Sequence, residues 1–146
     1  MTDIRTSEDN DLGRADRSAD EVAIDAVLDA SYRAWAAGDA TGMVADYTPD
    51  ATAIMPGSFR DGRDAIRQSM AHGFAGPLAG TTTANRRLGL RFLGSDAAIV
   101  VTESGILFPG QAEVPETGRV HATWVLERRK GRWAIAAYHN SPVQAG

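Results

Sequence analysis

Glu103, Tyr32 and Asn140 are the residues on which chemistry in this chain would rest, and each can do something different to a proton. A carboxylate taken out of water rises in pKa and becomes available as acid, base or hydrogen-bond anchor. In "AAIVVTESGIL", strand alternation puts Ile99, Val101, Glu103, Gly105 and Leu107 in one row, so a carboxylate stands in an otherwise apolar series. The plainer reading of Glu103 is a strand-edge glutamate, in water or paired with Arg91 or Arg119. Asn140 would orient a carbonyl or hydroxyl as a neutral partner, or else end the last strand as a turn group. Tyr32 and Tyr138 bring hydroxyls on aromatic bodies, and Trp35, Phe59, Phe74 and Trp124 complete the aromatic set. Each aromatic alone is more simply explained as core. Together they exceed what one helix–sheet seam needs, and an aromatic wall with few polar groups suits a flat, unsaturated ligand.

Other chemistries find little support. His72, His121 and His139 are not paired at i, i+2 or i+4 spacing and have no carboxylate cluster beside them, so no metal is expected. Ser58, Ser69 and Ser104 carry no local nucleophile motif. "PGSFRDGRD" lacks the glycine order of a phosphate loop and reads as a turn. There is no cysteine, hence no thiolate ligand, nucleophile or disulfide. A net charge of −4 argues against nucleic acid, whose phosphates call for a basic surface. The first twenty residues hold no apolar signal core, and no apolar run nears the roughly 18 residues of a membrane span. A cytoplasmic protein without cofactor is the expectation.

These residues must be positioned by elements that the periodicity outlines. The 146 residues are enough for one domain with a substantial core. Residues 1–17 lack periodicity and read as a disordered arm, with the domain spanning 18–146. "SADE" sets Ser18 and Glu21 at capping-box spacing before a helix whose stripe is Ile24, Val27, Leu28, Ser31 and Trp35, with Tyr32 beside it. Gly38 ends that helix, and Asp39 caps a short second one carrying Met43, Val44 and Tyr47. "DATAIMP" reads as a strand stopped by Pro56. Ile66, Met70 and Phe74 mark a third helix after Asp61, and Met55, Met70 and Phe74 could close the floor or lip of a pocket. Beyond Pro77 the period becomes two, in "TANRRLGLRFLG", "AAIVVTESGILF", "GRVHATWVLERR" and "RWAIAAYHNSP". In the third of these, Val120, Ala122, Trp124 and Leu126 should face the helices, leaving His121 on the other face with Thr123 and Val125. In the last, Ala134, Ala136, Tyr138 and Asn140 share one row, opposite Trp133, Ile135, Ala137 and His139. Helices first and antiparallel strands after give an α+β fold.

The quoted pieces "AAGD", "YTPDATAIMPG", "DGRDAI" and "GRWAIAAYHNSP", in this order and spacing, resemble the NTF2-like superfamily in its SnoaL-like branch. The ending "AAYHNSP" after "VHATWVLERR" resembles the small SgcJ-type accessory proteins of enediyne polyketide biosynthesis. The resemblance implies a cone in which N-terminal helices pack on a curved, mostly antiparallel sheet around an apolar pocket, and a homodimer formed through the sheet. It also implies pocket positions for Glu103, Trp124 and Asn140. Where the superfamily's ketosteroid isomerases carry a proton-moving aspartate just before a proline, this chain has Met55, and a thioether cannot shuttle a proton. The function expected is binding of a hydrophobic polyketide or polyene intermediate and help with its isomerisation, cyclisation or dehydration. The alternative is a non-catalytic dimeric scaffold or binding module docking on a partner biosynthetic enzyme, and polyketide synthase components are the partners the resemblance suggests.

Overall fold

The computed structural model describes the backbone of residues 2–144 and the side chains of residues 17–144. Three helices precede most of the strands: α1 (Thr2–Ala36), α2 (Ala40–Met43) and, after two strands, α3 (Arg63–Phe74). The strands are β1 (Tyr47–Met55), β2 (Ser58–Asp61), β3 (Thr82–Phe92), β4 (Ala97–Leu107), β5 (Val120–Arg129) and β6 (Arg132–Pro142). They form one open six-stranded sheet in the order β2-β1-β6-β5-β4-β3. All neighbours are antiparallel except β1 and β6.

The α1 stripe is as the periodicity predicts: Ile24, Leu28 and Ser31 are buried, with Tyr32 and Trp35 partly so. The helix does not begin at the Ser18 cap, however. Its backbone is helical from Thr2, across the segment expected to be a disordered arm. Helical hydrogen bonds close within the segment, so a helix nucleated by packing further along the chain can propagate through it. The described side chains of α1 touch the sheet from Arg17, which lies over the Phe92 ring, and Asp20 pairs with Arg128 at 2.8 Å and accepts from the Trp133 indole at 3.1 Å. Arg87 pairs with the adjacent Glu21 and, one turn further, with Asp25. Gly38, at φ 67°, turns the chain out of α1, and Asp39 then caps α2 by accepting from the Gly42 amide.

Ile24 and Leu28 of α1, Ala40 of α2, Val44 just after it, and Ile66 and Met70 of α3 share one buried cluster with Ala98, Val100, Ala122, Trp124, Leu126 and Ile135 of the sheet. All three helices thus lie on one face, and the opposite face of the sheet is free of helices among the described residues. "SFRD", read as part of a turn, is instead β2: Pro56 and Gly57 make a tight reversal that pairs Met55 with Ser58 and Ala53 with Arg60. The two-residue turn is short enough to form a hairpin.

Candidate functional site

Between the helices and the inner sheet face lies a largely apolar cavity of about 240 Å³. Tyr32 and Trp35 reach it from α1, Met43 from α2, Ile66 and Met70 from α3, and Ala53 and Met55 from β1. Met55 therefore occupies wall space at the very position where the resemblance would look for an aspartate. Trp124, Tyr138 and Asn140 line the sheet side, with Thr83, Asn85, Ser104 and Gly105. Among the described residues no Asp, Glu or His lines the cavity.

Of the eight residues expected in the pocket, five line it: Tyr32, Trp35, Trp124, Tyr138 and Asn140. Glu103 does not. Register pairs Glu103 with His121 and Val100 with Trp124, so Ala98, Val100 and Thr102 face inward and Glu103 faces out. There it pairs with Arg86, the closer partner, and with Arg119 at 3.8 Å, not with Arg91. The Arg86 hydrogen bond holds its carboxyl below the usual range, opposite to the rise a pocket would cause. Phe59 is also outside, 65% exposed, because β2 alternation turns its neighbour Arg60 inward. Phe74 stands behind the wall, edge-on to Trp35 at 5.5 Å. His121 and His139 are exposed on the outer face, as alternation predicts.

The β6 row needs a second correction. Val125 pairs with Ala137 but Leu126 with Ile135, so Ala136 is an extra residue in a bulge and parity reverses there. Trp133 and Ile135 face inward before the bulge, Tyr138 and Asn140 after it. Ala134 and Ala136 are not cavity residues.

Three phenols give the cavity its polar character. Trp124 packs edge-on between Tyr32, at 6.0 Å, and Tyr138, at 4.5 Å. The Asn140 amide donates to the Tyr138 oxygen at 2.8 Å, which leaves the Tyr138 proton free for another acceptor. The Tyr32 hydroxyl is buried without a partner. Burial pushes the Tyr32 phenol far above its ordinary range, reinforced by nearby Tyr138 and by Asp29. Burial raises Tyr138 and Tyr47 as well. All three are protonated donors at neutral pH, and none can act as a base there. Trp124 donates to Thr102 at 3.2 Å and Trp35 to Thr81 at 2.9 Å, which fixes both indoles. Sequence reasoning missed Arg60, Tyr47 and Asn85 in the wall. For Arg60 the missing signal was β2 itself, since without the hairpin its alternation had no frame.

The family model of the SnoaL-like domain matches residues 24–145. A domain with a cystatin-like fold from Nostoc punctiforme is similar at 25% identity over 87% of this chain and 79% of that one, with a TM-score of 0.80. An NTF2-like protein from Novosphingobium aromaticivorans is similar at 17% identity over 94% and 90%, TM-score 0.79. A ketosteroid isomerase-like protein from Erwinia carotovora atroseptica is similar at 19% over 85% and 96%, TM-score 0.67. The last two likenesses concern the fold. No curated protein matches the chain.

Proposed function

The chain belongs to the SnoaL-like domain family, and we propose that it binds a small unsaturated intermediate of polyketide type in its cavity and directs that intermediate's processing by hydrogen-bond donation. The observation that carries this reading is the wall itself: aromatic and thioether surface, protonated phenols, and no carboxylate or imidazole among the described residues. A ligand carbonyl placed against the Tyr32 and Tyr138 hydroxyls would be polarised at its oxygen, making its carbon and any conjugated carbon more electrophilic. Asn140 leaves the Tyr138 proton available for that bond. The apolar body would lie against Trp124 and Trp35, held in one conformer away from water. Isomerisation or cyclisation of an already reactive chain fits such a site, which holds donors and no carboxylate or imidazole base among the described residues. Abstraction of a proton by an enzyme base does not.

The volume, just under the roughly 300–1,000 Å³ of sites for drug-sized ligands, suits one or two rings or the end of a longer chain. Enediyne-type biosynthesis is the setting we favour, through the resemblance of "AAYHNSP" and "VHATWVLERR" to the accessory proteins named above. Ala53, buried in the cavity wall, provides the test. Solvent extracts of the protein purified from its native host should contain an unsaturated compound by mass spectrometry, and the Ala53→Phe variant should lack it. The same extract from both proteins would sink the reading.

A second proposal concerns assembly. Ile54 and Phe59 are cross-strand partners on the helix-free face, 38% and 65% exposed, and such a pair favours a homodimer through the sheet. The docking of such a dimer on synthase components would use the same face.

A further inference from the structure

Arg60 is the one charged side chain in the cavity wall among the described residues. It lies opposite Ala53, whose other neighbour is Tyr138, so a guanidinium, a methyl group and a phenol form one row across β2, β1 and β6. Its Nε is buried without a partner, and Nη1 donates only to the Met70 sulfur at 3.3 Å, a weak acceptor. None of the ion pairs among the described residues includes it. Partial burial lowers its pKa, as expected of a cation that has given up part of its water without gaining a counter-ion. It is still charged at neutral pH. A partly desolvated charge with no counter-ion is unfavourable for the empty protein, and an anion entering the cavity would relieve it.

We propose that Arg60 receives the carboxylate of the ligand, so that the compounds bound are small unsaturated or aromatic carboxylic acids. The inference rests on the cavity being a ligand site, as argued above, and it adds the chemical class. A guanidinium offers two parallel N–H donors to a carboxylate, a geometry that an ester, amide or hydrocarbon cannot match. The acid group would sit at β2 while the phenols address a carbonyl further along the same ligand.

The probes are 2-naphthoate and its neutral counterpart 2-naphthamide, with binding followed by quenching of the tryptophan fluorescence to which Trp35 and Trp124 in the wall contribute. The wild-type protein should bind the acid about 10- to 100-fold more tightly than the amide, the range for hydrogen bonds to a charged group. Arg60→Met should bind both probes equally, near the wild-type affinity for the amide. Arg60→Gln serves if the methionine variant does not fold. Ala53→Phe should lose both probes. Equal wild-type affinities, a preference for the acid that survives loss of Arg60, or naphthoate binding unaffected by Ala53→Phe would each overturn the assignment. In the first two cases continued amide binding leaves the cavity reading standing. Failure of wild-type protein to bind either probe overturns both.

Discussion

At the scale of single residues, the cavity is defined by what its polar groups lack. Tyr32 has a buried hydroxyl with no partner, and an orphaned buried donor costs about 1–3 kcal/mol. Tyr32→Phe should therefore raise stability, by about 1 kcal/mol in urea unfolding, while weakening binding of any carbonyl ligand. A purely structural tyrosine would move stability the other way. The raised phenols also fix an alkaline limit. A folded-state pKa above the unfolded value of 10.0 means the contribution is intact below pH 10 and is lost as pH climbs from there toward the folded value. Thermal unfolding should show stability falling above pH 10, less steeply in Tyr32→Phe. Glu103 obeys the opposite sign: its pKa is lowered, so its contribution is present above the ordinary carboxylate value of 4.5 and disappears on acidification. Glu103→Gln should flatten the acid limb of the stability profile and leave binding in the cavity unchanged. A large loss of binding in that variant would contradict the outward placement.

At the scale of elements, how much the sequence discloses depends on whether hydrophobicity breaks the symmetry between the two faces of a strand. In β5 it does: Ala122, Trp124 and Leu126 are plainly heavier than His121 and Thr123, and the buried row is the one alternation selects. In β4 both rows are apolar, Ala98 and Val100 against Ile99 and Val101. Only pairing with Trp124 decides between them, and the pairing turns Glu103 outward. In β6 a strict period of two fails because Ala136 is bulged, which neither composition nor spacing signals. The buried stripes of the helices were legible even where the start of α1 was not, since a 3.6-residue stripe such as Ile24, Leu28 and Ser31 has no equivalent alternative face. The bulge itself can be tested. Deleting Ala136 forces either Trp133 and Ile135 or Tyr138 and Asn140 to the outer face. Turning out the two large apolar side chains would cost about 1.5–3 kcal/mol each. Urea unfolding should show a loss of several kcal/mol, or no folded baseline at all. A deletion variant with wild-type stability would mean the register shift is not required.

At the scale of the whole molecule, the sheet has one face covered by the α-helices and another that they leave uncovered, with Val114 packed over Gly105 at one end. The uncovered face carries the row that sequence alternation set aside as polar or neutral, with His121, Thr123 and His139 exposed and Val125 half-buried. At one end of it Ile54 and Phe59 form an apolar cross-strand pair in solvent. A lone phenylalanine in water is unremarkable for a soluble protein, but paired apolar side chains beside open strand edges mark a surface suited to a partner. The same geometry separates assembly from binding: Phe59 points out of the sheet, whereas Arg60, its neighbour, points into the cavity. A substitution at Phe59 therefore addresses one function without the other. Light scattering coupled to size-exclusion chromatography should give the wild-type protein a mass of twice the chain's 15.5 kDa. Burying a new carboxylate at a self-associating surface carries a desolvation cost on both copies at once, so Phe59→Glu should run as a monomer at the same concentration. Its affinity for 2-naphthamide should be unaltered if each cavity is complete within one chain. A Phe59→Glu protein that keeps the doubled mass would move the association to another surface. One that becomes monomeric and loses the probe would show that the partner copy helps to shape the cavity.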